Sequence, residues 1–349
     1  MKAVIKDVYI RAISAWLPER VLEMSSLAAD YGEESVRSII RTTGVERVRI
    51  ADPEMTASDM CQMAAEHLIR EEGLALPEID GLAFVSQTAD YLLPSTSVCL
   101  QDRLHLSKDT VCLDIHYGCS GYIYGLFQAA LWIGCGACHN VLVLAGDTTS
   151  RIINDRDRSL RMVFGECGTA TLVSAGEGTM AFHIRSDGSG ADQLIVPAGG
   201  FRTPRSGETV VLAYDADGNG RTAEDLYMDG MGIFCFAVTQ VPDNIDGVLE
   251  LTGWDKGEVG FMALHQANAF MVNYIRKKMR IKGEVAPIDV CNYGNTGPAS
   301  IPLLFSDICS GNRPFDMSKV VMCGFGVGLS LGSIATDMTR TRYYEPINK

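Results

Sequence analysis

The feature that most constrains the fold of this sequence is a regular alternation between short apolar runs and longer segments with helical patterning. Residues 81–87, 111–115 and 141–145 are apolar runs bounded by turn-forming residues, and segments 57–72 and 120–134 resemble helices. Short apolar runs without polar alternation are typical of strands buried on both faces, as in a parallel sheet covered by helices. This part of the chain is therefore predicted to have an α/β fold.

The second half of the sequence repeats this plan. We predict a strand near 260–264, a helix near 268–280, a strand at 288–291, a helix from about 298 to 310 and a strand at 319–323. A repeated plan of this kind indicates an internal duplication.

The two halves are placed at residues 1–177 and 178–349, and because no flexible linker separates them they are expected to pack as one body. Their best-matching segments are residues 141–146 and 320–324, each a predicted strand that ends in glycine. Residues 186–225 are rich in Gly, Asp, Ser, Thr and Pro and interrupt the rhythm for longer than an ordinary connection does. A surface excursion, of the kind that can serve as a lid, is predicted there.

Composition and charge exclude several classes of protein. Hydrophobic residues make up 47% of the chain and charged residues 21%, which favours a globular protein over a disordered one. The net charge of −13 opposes general nucleic-acid binding, because phosphate contacts need a basic surface. No apolar run is long enough for a membrane span. The N-terminal residues lack a secretion-signal pattern, so we expect a cytoplasmic protein whose eleven cysteines are reduced and mostly buried.

No metal site is predicted. Residues 215–220 resemble the start of a calcium loop, but Leu226 stands where such a loop needs its bidentate glutamate. A turn-rich loop is the better interpretation.

Cys119 is the strongest candidate nucleophile. It follows the predicted strand at 111–115 and a turn at Gly118, and it stands at the start of an apolar helix that reaches about Ile133. Unpaired backbone N–H groups and the positive end of a helix dipole lower the pKa of a thiol. The sequence therefore predicts a reactive thiolate at Cys119, whereas the other cysteines have the setting of inert thiols.

Two further segments carry polar side chains just after predicted strands. His265 follows the strand near 260–264, and Asn295 lies between glycines and precedes the next helix, which it is expected to cap. Each residue by itself is weak evidence for a functional site, because an isolated histidine is usually structural and an asparagine among glycines is usually a turn former. Together with Cys119 they lie beyond the carboxyl ends of strands, where open α/β folds collect their sites.

The segment 324–332 is rich in glycine and follows the last predicted strand. Its backbone N–H groups can approach a substrate oxygen closely. The spacing does not match the dinucleotide-binding fingerprint, so no nucleotide cofactor is indicated.

At this point the motifs carry a family resemblance. The chain resembles ketoacyl-ACP synthase III in seven segments that occur in the same order: residues 42–47, the Cys119 segment, 228–230, 234–237, 265–268, 294–296 and 324–326.

The resemblance implies a thiolase-like, five-layered αβαβα fold and a homodimer. It implies that Cys119 accepts an acyl group from acyl-CoA and that this group condenses with malonyl carried on acyl carrier protein, without a cofactor. The N–H groups of Cys119 and Gly328 would form the oxyanion hole. His265 and Asn295 would hydrogen-bond the malonyl thioester carbonyl, where loss of CO₂ places negative charge as an enolate.

The sequence departs from the family pattern at several substrate-binding positions. Ser38 aligns with a tryptophan that stacks on the adenine of CoA, and Phe270 replaces an arginine associated with carrier docking. Arg158 matches a family residue near CoA. Leu93 aligns with a bulky aromatic that lines the primer pocket across the dimer, and residues 117–118 are Tyr-Gly instead of two small residues. These differences predict an unusual primer and carrier but leave the chemistry intact.

The basic run after His265 is interpreted in two ways. It is either a solvated helix face or, on an acidic protein, a patch that steers an acidic carrier; its members are Arg276, Lys277, Lys278 and Arg280.

Three other functions share features with the Cys, His and Asn pattern of this sequence. A papain-like hydrolase has its Cys, His and Asn in this order, but its cysteine lies near the mature N-terminus in a different motif. A non-catalytic partner subunit would lack one of the three residues, and none is missing here. Transfer of the acyl group from Cys119 to an alcohol or amine of a specialised metabolite remains open at this stage.

Overall fold

The computed structural model describes residues 1–311 and 315–348. Its strands are β1 (Lys2–Trp16), β2 (Val21–Glu23), β3 (Arg47–Arg49), β4 (Gly81–Val85), β5 (Val111–Ile115), β6 (Asn140–Asp147), β7 (Cys167–Ser186), β8 (Leu194–Ile195), β9 (Ala213–Tyr214), β10 (Gly220–Arg221), β11 (Tyr227–Met228), β12 (Phe261–Leu264), β13 (Val320–Gly326), β14 (Ser330–Thr336) and β15 (Arg342–Tyr343). Its α-helices are α1 (Ala28–Tyr31), α2 (Glu33–Thr43), α3 (Ala57–Glu72), α4 (Thr96–Arg103), α5 (Gly121–Gly134), α6 (Arg158–Arg161), α7 (Gly230–Thr252), α8 (Ala269–Met279) and α9 (Ser300–Cys309).

The main sheet has the same plan on both sides of β7. Its strand order is β12-β13-β14-β7-β6-β4-β5, and β1 runs antiparallel along β7. On one side β4 is parallel to β5 and β6, and β6 is antiparallel to β7. On the other side β12 is parallel to β13, and β14 is antiparallel to both β13 and β7. The predicted duplication is therefore visible in the topology, and its best-matching segments, in β6 and β13, hold equivalent places.

One predicted strand is wrong. Residues 288–291 form no strand, although they stand where the second half would place its counterpart of β5. Pro287 has no N–H to donate to a ladder, and the backbone groups that follow bond elsewhere. The N–H of Asp289 donates to Gln266 Oε1 at 2.9 Å, and the carbonyl of Cys291 accepts from the N–H groups of Glu46 and Arg47.

The helices complete five layers. α5 and α9 lie in the middle, where buried residues of both halves of the sheet pack around them. One outer layer contains α3 and α4, which cover β4 and β6, and the other contains α7 and α8, which cover β13 and β14. The predicted α/β fold with an αβαβα arrangement is thus confirmed.

Helix α3 shows how local sequence sets an element. It occupies the predicted range 57–72, and its start is fixed by a capping box in which Thr56 and Asp59 bond each other's backbone N–H groups. Its end is fixed by Gly73, which has a left-handed φ of 61°.

Strand β7 passes from one half of the sheet to the other. It pairs with β6 through residues 167–174 and with β14 through residues 180–186. The predicted boundary between residues 177 and 178 falls inside this strand, between the two pairings, and the division into halves stays a prediction.

The remaining expectations concern thiols, metals and membranes. All eleven cysteines are free, but only five are buried, so the expectation that most would be buried is wrong.

Within residues 1–311 and 315–348 no group of three or more His, Cys, Asp or Glu could hold a metal ion. The Asp215 carboxylate instead accepts hydrogen bonds from Asn219 and Arg221. In the same described ranges, no helix has the length and apolar character needed to cross a membrane.

Candidate active site

Cys119 lies in the turn between β5 and the central helix α5. The Asp114 carboxylate at the end of β5 accepts from the backbone N–H groups of Thr96 and Ser97, which anchors this strand end to the start of α4. On the other side, Gly326 of β13 lies so close that an added Cβ would be 2.8 Å from Cys119 Cβ and 3.0 Å from its Sγ. The glycines of segment 324–332 therefore allow close approach to the cysteine itself.

The predicted low pKa of Cys119 is wrong for the free protein. The residue is only 8% exposed. Burial, together with the nearby charge of Asp147, raises the pKa of this thiol to about 12, against the lowering effect of the backbone N–H groups of Cys119 and Val327. Loss of hydration outweighs the helix-terminus effect, because the charged thiolate is the form that burial penalises. The resting cysteine is a neutral thiol.

His265 follows β12 and is completely buried. Its Nδ1 lies 2.6 Å from Ser300 Oγ, and its ring stands edge-on to Phe325, the neighbour of Gly326. Burial lowers the pKa of His265 to about 3, so the imidazole is neutral. Among the described residues its Nε2 has no hydrogen-bond partner. A buried ring nitrogen without a partner is costly unless a ligand supplies one.

Hydrogen bonds hold both the backbone and the side chain of Asn295. Its backbone N–H donates to Val163 O at 2.8 Å, and its carbonyl accepts from Gly165 N–H at 3.1 Å. Its side-chain Oδ1 accepts from Gly297 N–H at 3.0 Å in the turn that leads into α9. The predicted capping of the helix by Asn295 is wrong, because the N-cap of α9 is Ala299, without a side-chain hydrogen bond. With Oδ1 occupied, the amide Nδ2 is left as the donor.

A cavity of about 770 Å³ opens beside Cys119. Its wall includes Cys119, Gly328 and Gly297, the glycine bonded to Asn295. His265 and Asn295 are not among the described residues that line this cavity: Asn295 is bonded to Gly297 of its wall, and His265 contacts Phe325, the neighbour of Gly326, which lies against Cys119. Gly328 has a left-handed φ of 134°, which favours glycine there, and its role in an oxyanion hole stays a prediction.

The excursion at 186–225 forms much of the cavity wall. Apart from β8, β9, β10 and one short 3-10 turn it has no regular structure. Its contributions to the wall include Leu194, Ile195, Val196 and the ion pair of Arg205 with Glu224, whose Nε and Oε2 are 3.1 Å apart. The predicted surface excursion therefore encloses the space next to the nucleophile.

Comparison with known proteins decides the family. The profile described as "3-Oxoacyl-[acyl-carrier-protein (ACP)] synthase III" matches residues 113–188, and the corresponding "C terminal" profile matches residues 249–338. The "Beta-ketoacyl-[acyl-carrier-protein] synthase III" of Rhodopirellula baltica is 30% identical, and the alignment covers 94% of this chain and 98% of that protein. The chain belongs to the beta-ketoacyl-[acyl-carrier-protein] synthase III family. It is therefore an acyltransferase of the condensing-enzyme type.

Other members of the synthase III family agree. The protein of that name from Chlorobium luteolum is 32% identical, with coverage of 93% of this chain and 97% of the relative. The crystal structure of a 3-oxoacyl-(acyl-carrier protein) synthase from Burkholderia xenovorans is 34% identical and superposes with a TM-score of 0.92 over 100% of this chain and 99% of that one. The predicted thiolase-like fold is confirmed by this likeness.

Leu93 does not line the Cys119 cavity of its own chain. It is 82% exposed and lines a second hollow of about 700 Å³ on the neighbouring surface. Its predicted place at the primer pocket of the other subunit stays a prediction.

Arg158 and Ser38 lie in one shallow hollow of about 310 Å³, apart from the Cys119 cavity. Arg158 Nη2 donates to Asp217 O at 2.6 Å. The two positions that the family resemblance connects with CoA are therefore neighbours, and the small Ser38 leaves no aromatic face there.

The predicted carrier-docking residues differ in their surroundings. Phe270 is 51% exposed and packs against Phe234, with ring centroids 5.4 Å apart. Arg276 donates to Ala286 O at 3.2 Å and Lys278 donates to Val238 O at 2.6 Å, so both contribute to the fold. The side chains of Lys277 and Arg280 are exposed and form no ion pair with the described residues.

Sequence reasoning missed two residues of the site. Ser300 orients His265, and Asp147 places a buried carboxyl group in the wall of the Cys119 cavity. Ser300 lies shortly after Asn295 in the sequence. Asp147 directly follows the predicted apolar strand, and a polar residue at the end of a buried strand was a signal that could have been used.

Proposed function

We propose that this chain loads an acyl group from acyl-CoA onto Cys119 and condenses it with malonyl-ACP to give a 3-oxoacyl thioester and CO₂. The observation that carries the proposal is the buried Nε2 of His265, which has no partner among the described residues and whose ring contacts Phe325, the neighbour of Gly326 beside Cys119. An enolate oxygen is a partner that would satisfy this nitrogen.

In the first step the bond between the acyl carbon and the CoA sulfur breaks, and a bond from that carbon to Cys119 Sγ forms. The thiol proton leaves with the CoA thiolate. Because burial raises the pKa of Cys119 to about 12, the resting residue is a thiol, and it loses its proton as its sulfur attacks the acyl carbon. The N–H groups of Cys119 and Gly328 are proposed to stabilise the oxyanion of the tetrahedral intermediate.

In the second step the malonyl carboxylate leaves as CO₂, and its bonding electrons form an enolate at the thioester. The enolate carbon attacks the acyl carbon on Cys119, and the cysteine sulfur leaves and regains a proton. Ser300 Oγ lies 3.4 Å from Gln266 N–H, which donates to it, and its own proton can go to His265 Nδ1. That arrangement keeps the imidazole proton on Nε2, so Nε2 and Asn295 Nδ2 both act as donors to the enolate oxygen.

The test follows both steps on one sample. Acyl-CoA is added first, and intact-mass spectrometry reports the acyl group on the protein. Malonyl-ACP is then added, and CO₂ and 3-oxoacyl-ACP are measured. Acylation followed by esterification of an alcohol or amine without release of CO₂ would overturn the condensation and establish acyl transfer to another acceptor.

The proposal includes a cytoplasmic homodimer that uses acyl-CoA and malonyl-ACP as substrates and needs no metal or other cofactor. Strand β5 ends the sheet, and its Val111 and Leu113 are exposed, as are Leu92 and Leu93 nearby. An exposed apolar edge strand favours pairing with another chain. A second copy would cover this edge and bring its Leu93 to the primer pocket.

The primer is expected to be longer than acetyl or branched, because leucine at position 93 leaves more room than an aromatic ring. Each extra buried methylene contributes about 0.8 kcal/mol, so two or three carbons change selectivity roughly tenfold or more. Competition among C2 to C8 acyl-CoAs for Cys119 measures this preference in the native protein and in Leu93→Phe. The Phe variant should shift toward acetyl, whereas Val98→Phe, on an exposed site of α4, should not. Equal use of acetyl by the native protein would contradict the prediction.

Carrier docking is expected to depend on the exposed ends of the basic run. Reversing both charges in Lys277→Glu/Arg280→Glu should raise the KM for malonyl-ACP about tenfold, since exposed ion pairs contribute about 0.2–1 kcal/mol each and reversal adds repulsion. The KM for malonyl-CoA serves as the internal reference and should stay unchanged. Lys108→Glu, an exposed reversal between α4 and β5, is the matched control. An equal rise for both malonyl donors would remove the docking role.

A further inference from the structure

The cavity beside Cys119 has a polar side and an apolar side. Its apolar lining includes Leu194 and Ile195 of the excursion and Leu226, which directly follows the excursion. The polar side includes Gln87, Thr88, His116, Tyr117 and Asp147.

Part of the polar wall is shared with the second hollow. Gln87, Thr88 and His116 line both the Cys119 cavity and the second hollow, which contains Leu93. The side chain of Gln87 lies directly over Gly118, where an added Cβ would be 2.1 Å from its Oε1. An acyl chain on Cys119 that extends along this shared wall therefore passes these polar groups.

Asp147 is a charged residue of the Cys119 cavity wall and is only 3% exposed. Its Oδ1 accepts from Ser86 Oγ at 2.8 Å, from the N–H groups of Gln87 and Thr88 at 2.7 and 3.2 Å, and from Thr88 Oγ1 at 3.1 Å. Its Oδ2 makes no hydrogen bond to any residue that the structure describes. That oxygen faces Gly297 of the cavity wall, where an added Cβ would be 3.1 Å away.

A plain alkyl chain is a poor occupant of such a wall. Covering a polar group without giving it a partner is unfavourable, and more so for a charged group. Burial raises the pKa of Asp147 to about 6, so the carboxyl group is mostly ionised at neutral pH and keeps an acceptor oxygen available. A hydroxyl group on the substrate would donate to that oxygen and accept from neighbouring donors.

We propose that Asp147, with Gln87, Thr88 and His116, forms a polar subsite that binds a hydroxyl group on the primer, so that the preferred substrate is a hydroxyacyl thioester. The inference rests on the proposed function, because it concerns the acyl group that Cys119 receives. It agrees with the expectation from Leu93, since a hydroxylated chain is also longer than acetyl.

The test compares 3-hydroxybutyryl-CoA, as each enantiomer, with butyryl-CoA, which has the same carbon chain. Acylation of Cys119 is followed by intact-mass spectrometry under competition. The native protein should prefer one hydroxylated enantiomer at least about tenfold, since a site built to bond a hydroxyl discriminates against the analogue that lacks it.

Asp147→Asn is the decisive variant. Its Oδ1 can keep the four bonds from Ser86, Gln87 and Thr88, but an amide donor replaces the free acceptor. The hydroxyl preference, taken as the ratio of hydroxybutyryl to butyryl uptake by the same variant, should fall to near unity. Asp90→Asn removes a like charge from the second hollow, outside the Cys119 cavity, and should keep the preference. Thermal melting of both variants verifies that they are folded.

The outcomes separate this inference from the proposed function. Equal use of butyryl and both hydroxybutyryl enantiomers by the native protein, or a preference that survives in Asp147→Asn, would overturn the polar subsite while acylation itself stands. Absence of any acyl group on Cys119 with all acyl-CoAs would overturn the proposed function instead.

Discussion

Cys119→Ala is expected to take up no acyl group from any acyl-CoA, and the condensation rate should fall by a factor on the order of 10⁴–10⁶, as for other enzymes that lose their nucleophile. The reason is positional. Cys119 lies on the cavity wall at the start of α5, where the backbone N–H groups of Cys119 and Val327 reach its sulfur. Peptide mapping after incubation with acyl-CoA should place the whole acyl mass on this residue in the native protein.

The controls use two other cysteines. Cys323 is as buried as Cys119, and burial raises the pKa of its thiol to about 12 as well, whereas Cys235 is exposed. Cys323→Ala and Cys235→Ala should both keep acyl uptake, because neither burial nor exposure makes a thiol reactive without the cavity and its donors. An acyl group on any other cysteine, or one that persists in Cys119→Ala, would contradict the assignment.

His265→Ala and Asn295→Ala should each slow malonyl decarboxylation by about 10²–10³, the usual cost of losing one oxyanion donor. Acylation of Cys119 should change much less, because both side chains are assigned to the enolate. Single-turnover measurements on protein that is already acylated separate the two steps. Asn295→Asp is the conservative version, since its Oδ1 can still accept from Gly297 N–H while the donor at Nδ2 is lost.

A matched control lies on the same segment as His265. Asn268 caps α8 by accepting from Met271 N–H and is assigned no part in the chemistry. Asn268→Asp keeps that cap and should keep decarboxylation. If acylation collapses in His265→Ala while decarboxylation persists, the assigned roles must be exchanged.

Most of the architecture could be predicted because it follows from local patterns. The apolar runs that became β4, β5 and β6 have no other stable place than between helices, and Thr56 with Asp59 sets the start of α3. The strand predicted at 288–291 failed because its backbone partners, Gln266 and residues 46–47, are distant in sequence. Pairing of that kind cannot be read from a local pattern.

The site was predictable in its identities but not in its electrostatics. Cys119, His265 and Asn295 stood out by their places after strands and by the family resemblance. The thiol pKa was predicted in the wrong direction because a helix start is visible in the sequence and the extent of burial is not. Asp147 was missed for a related reason: its free oxygen and the four donors around the other one appear only when β4 and β6 lie side by side.

Strand β7 has a consequence for how such a chain can be divided. Because one strand supplies hydrogen-bonding partners to both β6 and β14, a break between residues 177 and 178 would leave each fragment with a truncated strand and an exposed edge. β1 would worsen this, since it lies along the whole of β7 and cannot serve two separate fragments. Gene fission at this point is therefore disfavoured, although the two halves have the same plan. A duplication that began as two equal units has become, through a shared strand, a single cooperative folding unit.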